Sequence, residues 1–80
     1  MKADKIYIEK AVHNISVYLV HWIQNNYKCE REKALQTLMT TVTYATLLDK
    51  NTKLFSESKE YVLDMLISEM KNDVENWMKI

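Results

Sequence analysis

"TTVTYAT", residues 40–46, is the stretch on which the fold turns. Its β-branched Thr and Val and its aromatic Tyr favour a strand on propensity alone. A strand needs a neighbour to receive its backbone hydrogen bonds, and a lone one leaves them unmade. The chain contains neither Gly nor Pro, so hairpin turns of the Asn-Gly or Asp-Gly kind do not occur. Helices joined by short polar turns need neither residue. The stretch is therefore read as the end of a second helix and a short third helix through Leu47 and Leu48. The whole chain is then all-α.

Upstream, residues 4 to about 27 carry the pattern of a long helix. Asp4 is its expected N-cap, and apolar residues recur at Ile8, Val12, Ile15, Leu19 and Trp22 in steps of four and three. A second row, through Ile6, Val17, Val20 and Tyr27, lies beside the first. Two adjacent rows make an apolar face wider than one neighbouring helix covers. "QNNY" ends the element, with Asn25 or Asn26 expected to take the left-handed conformation. In "NNYKCEREKALQTL", Cys29 stands where a cap belongs and Glu32 follows three residues later, as in a capping box. Ala34, Leu35, Leu38, Met39 and Val42 then mark one face of the second helix.

Downstream, "DKNTK" reads as a polar turn pivoting on Asn51. The last helix begins near Ser56 or Ser58, with Glu57 and Glu60 close to its positive end. Leu63, Ile67, Met70, Val74 and Trp77 step along it by four and three, and Val62, Met65 and Leu66 widen that face. Eighty residues form a single domain, 1–80, a compact bundle of three to four helices. Helices one and four are expected to pack along their length, with helix two crossing them.

Composition narrows the function. The chain has 11 basic and 11 acidic residues and a single Arg, whereas nucleic-acid binders usually present a net basic face rich in Arg. No signal peptide or membrane span is apparent, because the longest apolar run, "ISVYLVHWI", is short and holds His21. One cysteine cannot form an internal disulfide, which points to a reducing cytoplasm. Against these, 48% hydrophobic residues are a large apolar supply for so small a chain, and the excess points to a protein partner or a second copy.

Candidate chemistry is weak throughout. Cys29 at a helix start could ionise, but a cysteine hydrolase also needs an imidazole and oxyanion donors, and both histidines lie in the first helix. His13 and His21 are eight residues apart, about 80° around a helix, so they do not converge on one ion. The four-residue pairs Glu60–Asp64 and Glu69–Asp73 read as a solvated stripe. No Gly-rich phosphate loop is available, and "DKNTKLFSE" lacks the Asp spacing and central Gly of a calcium loop. No cofactor or metal is expected.

The block "TYATLLDKNTKLFSESKEYVLDML", residues 43–66, resembles a type of small bacterial helical protein known only as domains of unknown function. In these an "EKAL"-like second helix precedes a Tyr, Leu, turn and Leu, then a Ser-led "EYV" helix. One such family tends to sit beside putative toxins that look like ADP-ribosyltransferases, which implies an antitoxin-like or accessory role. That family usually has His where this chain has Phe55, and it assigns no catalytic residue.

The expectation is a non-catalytic cytoplasmic interaction module that binds another protein and also itself. Tyr18, Trp22, Tyr61 and Trp77 are the expected interface residues, since Trp and Tyr commonly carry interface energy. A small DNA-binding regulator using helices two and three is the first alternative. A small thiol enzyme using Cys29 is the second.

Overall fold

A computed structural model describes residues 2–72, with side chains from Lys5 onward. Four α-helices follow in order: α1 (Lys2–Tyr27), α2 (Arg31–Met39), α3 (Val42–Leu48) and α4 (Lys59–Asn72). Two single 3₁₀ turns, Lys50–Thr52 and Leu54–Ser56, link α3 to α4. No strand occurs among the described residues. The chain is an all-α bundle.

α1 runs 26 residues, about 39 Å at 1.5 Å per residue, close to the 42 Å longest dimension of the molecule. It starts at Lys2, so Asp4 lies inside the helix rather than capping it. Its end is set by Lys28, whose φ of 53° is left-handed and whose N–H donates to Gln24 O at 2.9 Å. Asn25 and Asn26 stay helical instead, and the Asn26 side chain returns a hydrogen bond to Trp22 O. With no Gly in the chain, a Lys carries the left-handed strain, which costs a β-carbon-bearing residue about 1–2 kcal/mol. The same happens at Lys53, φ 56°, which rather than Asn51 reverses the chain between the two 3₁₀ turns.

The expected capping box at Cys29 does not form. Glu30 is the N-cap of α2, extended at φ −72°, ψ 159°, and its side chain makes no capping bond. Sulfur is a poor acceptor, and Cys29 is drawn half into the interior, where it packs against the core. The third helical position is then Lys33, which cannot return the reciprocal bond that Glu32 was expected to make.

"TTVTYAT" resolves into a break and a capped helix. Thr41 is the N-cap of α3: its Oγ1 accepts from Tyr44 N–H at 3.1 Å and donates to Leu38 O at 2.7 Å. Ser58 does the same for α4, accepting from Tyr61 N–H at 3.1 Å. Both sites use the short-reach hydroxyls that suit this role.

The core gathers Ile15, Leu19, Val20 and Ile23 from α1, Ala34 and Leu38 from α2, and Leu47 from α3. Leu54 of the linker and Val62, Leu66 and Met70 of α4 complete it. On α4 the innermost row is thus Val62–Leu66–Met70, one position back from the expected Leu63–Ile67 row, which is half-buried. Lys59 meets Tyr18 and Met70 meets Tyr27, so α4 runs beside the C-terminal half of α1 in the same direction. It does not follow α1 along its whole length. All core residues of α1 lie at or beyond Ile15, while Ile6 and Tyr7 near its start are exposed. The first turns of α1 therefore carry exposed apolar side chains, and the helix meets the core from Val12 onward.

A groove lined by α1, α2 and α3

The wide apolar face of α1 reappears as one wall of a groove. Ile8, Val12, Ser16 and Val20 lie four residues apart along it, and Glu9, His13, Val17 and His21 form the adjoining row. Arg31 and Leu35 of α2 contribute to the lining, as do Tyr44 and Leu48 of α3 and Lys50 just beyond it. The cavity measures about 460 Å³ and its surface is mainly apolar. Leu35 and Leu48 stay exposed at its edge, at 40% and 52%.

The polar side chains lining the groove include His13, Ser16, His21, Arg31 and Lys50. The Ser16 hydroxyl is already committed to Val12 O at 2.7 Å. His13 and His21 are both exposed and share the α1 wall, two turns apart. Cys29 does not line the groove. Among the described residues no group of three or more His, Cys, Asp or Glu is placed to hold a metal ion. Every buried side-chain nitrogen or oxygen among them has a hydrogen-bond partner. Charge sits at the margin: Glu9 on the α1 wall, and Arg31 and Lys50 from α2 and the segment after α3.

Of the aromatic residues expected at an interface, Tyr18, Trp22 and Tyr61 do not line this groove. Tyr18 is half-buried beneath Lys59, whose Nζ stands 5.1 Å from the ring centroid in a cation–π contact. Trp22 is half-buried too and meets Tyr27 edge-on, with centroids 6.4 Å apart and planes at 70°. Both pack against the core. Tyr61 is exposed, and Trp77 lies outside the described residues. Burial raises the Tyr27 hydroxyl above its ordinary pKa of 10.0, because partial removal from water disfavours the charged phenolate. Its O–H points to Met70 Sδ at 3.8 Å.

Of the two apolar rows read along α1, Ile8 and Val12 of the first and Val17 and Val20 of the second line the groove. Nothing in the linear pattern marked Leu35 and Leu48 as its far edge, because both belong to apolar runs that also supply the core. No described helix is long and apolar enough to cross a membrane. Comparison with models of known protein families, with curated proteins and with solved structures gives no match to this chain.

Proposed function

We propose that this chain is a non-catalytic protein-binding module that receives an amphipathic helix in the groove between α1, α2 and α3. The observation that carries the reading is the uncovered apolar lining, with Leu35 and Leu48 exposed at its edge. Helix-in-groove recognition uses apolar anchors at i, i+3, i+4 and i+7 against such a surface, with charges at the rim supplying orientation. The module acts in the cytoplasm, as the lone thiol suggests, and an antitoxin-like or accessory role follows from the resemblance carried by residues 43–66. DNA binding is disfavoured by α3 itself. Its seven residues, "VTYATLL", include none of the Arg, Lys, Asn or Gln side chains that read base edges.

The test is site-specific photocrosslinking in the native host, with a benzophenone amino acid at Leu48 and, as control, at Glu60. The expected result is a protein adduct at Leu48 that maps to an amphipathic helix and disappears on Leu35→Asp. Equal labelling from both positions, or labelling indifferent to Leu35→Asp, overturns the reading.

A further inference from the structure

We infer that the groove takes an acidic amphipathic helix, one that carries carboxylates along a flank of its apolar stripe. The inference rests on the groove being a helix-binding surface and names the chemistry of its partner. Charge is sorted by element around the groove. Among the described residues the lining holds one acid, Glu9 of α1, whereas both cations, Arg31 and Lys50, come from α2 and the segment after α3. With His13 and His21 neutral, that is two positive charges to one negative. The chain as a whole has a formal net charge of zero, so the basic surplus is local to the groove.

Each cation also accompanies an exposed leucine. Arg31 and Leu35 are one helical turn apart on α2, and both line the groove. Lys50 follows Leu48 by two residues, just past the end of α3, and both again line the groove. Neither cation is held in an ion pair among the described residues, whereas Lys59 is engaged over the Tyr18 ring. A surface of this kind complements a ligand whose apolar anchors are accompanied by carboxylates. On a helix that pattern is an Asp or Glu three or four residues from each anchor. A basic flank would set cation against cation, so the same arrangement selects against Lys-rich amphipathic helices. The α1 stripe from Ile8 to His21 spans about 20 Å, the length of a partner helix of about 14 residues.

Isothermal titration calorimetry of the full chain with three synthetic peptides tests the preference. The peptides share one leucine stripe at helical spacing and carry Glu, Gln or Lys along one flank of it. At ~50 mM salt the Glu peptide is expected to bind roughly three- to tenfold tighter than the Gln peptide, with the Lys peptide weakest. Arg31→Glu with Lys50→Glu is expected to reverse that order. Both residues are exposed, so the substitutions spare the core, and circular dichroism checks folding. Equal affinities for the Glu and Gln peptides overturn the inference, as does a Glu peptide that fails to bind or an order unchanged in the double variant. Dodecanoate is the control for a small anionic amphiphile, and tighter binding of it than of the Glu peptide overturns the inference too. Three peptides that bind alike and are all lost on Leu35→Asp remove the charge preference and leave the helix-binding reading standing. The Leu48 crosslink decides that wider reading separately.

Discussion

The Glu69 carboxylate of α4 caps α3 from across the bundle, with Thr43 as its main partner. Oε1 accepts from the Thr43 N–H at 2.9 Å and from the Thr43 Oγ1 hydroxyl at 2.8 Å, while Oε2 accepts from the Val42 N–H at 2.8 Å. Two amides of the first turn, which have no partner inside the helix, are thereby satisfied by one side chain. The negative charge also meets the positive end of α3. Thr41 supplies a third bond to Tyr44 N–H, so a helix of only seven residues has its start fully tied. A helix this short has little stability of its own and depends on such ties.

Glu69→Ala is therefore expected to destabilise the fold by about 2–3 kcal/mol, since hydrogen bonds to a charged group contribute ~1.5–3 kcal/mol and two amides lose their acceptor. Glu69→Gln keeps one acceptor oxygen and is expected to cost less than half as much. Thr43→Val removes only the hydroxyl bond and falls between wild type and the alanine variant. Urea unfolding followed by far-UV circular dichroism orders the three; equal losses for Ala and Gln refute the capping role.

Glu69 also shows where sequence reading stopped. Its bond to Thr43 crosses 26 residues, and nothing local distinguishes a carboxylate that caps a distant helix from one on a solvated stripe. The helices themselves were legible, because spacing by three and four persists through α1 and α4 and no Gly or Pro interrupts it. The rotation of α4 was not. Val62, Leu63, Leu66 and Ile67 are all apolar, so two rows about 100° apart fit the period equally well, and packing against α1 chose Val62–Leu66. Fully buried Ile23 sits at the next step after Leu19 and went unread between Trp22 and the polar end of α1. The groove was half legible, as an α1 face too wide for one neighbour. Its far edge needed the turn at Thr40–Thr41 to bring Leu48 into the same groove as Leu35.

The two left-handed lysines give a prediction of opposite sign to the usual glycine penalty. Lys28 and Lys53 hold φ values of 53° and 56°, where a β-carbon is strained and Gly is not. Replacing either by Gly relieves about 1–2 kcal/mol of strain, partly offset by the extra freedom of an unfolded Gly worth ~0.4–1 kcal/mol. A net gain of about 0.5–1 kcal/mol is expected at each. Lys33→Gly, at an exposed position within α2, is expected to lose about 1 kcal/mol instead. Thermal melts of the three variants check the reversal of sign.

Tyr27 links stability to alkaline pH. Burial raises its pKa in the folded chain above 10.0, so the unfolded chain gives up the proton first as pH rises. Its contribution is fully present below pH 10 and shrinks from there until the folded form also ionises. Tyr27→Phe cannot ionise. The stability of wild type relative to Tyr27→Phe is therefore expected to fall between pH 9 and pH 11, measured by urea midpoints at matched ionic strength. A gap that stays constant across this range sinks the assignment.

The start of α2 separates a cap from a core contact. Glu30 has the extended backbone of an N-cap, but its side chain accepts no amide, so the first turn lacks the bond that Thr41 gives α3. A shorter carboxylate has the reach for that bond and keeps the favourable charge at the helix start. Glu30→Asp is therefore expected to stabilise by about 1 kcal/mol, a rise in melting temperature of roughly 4–8 °C for a domain of this size. Cys29, one residue earlier, packs its sulfur against the core and caps nothing. Cys29→Ser places a hydroxyl in that half-buried contact and is expected to cost about 1 kcal/mol. Were Cys29 the cap, Ser would be the better acceptor and the variant would melt higher. The two melts thus give opposite signs if Glu30 holds the capping position, and calorimetry on both variants decides between the assignments.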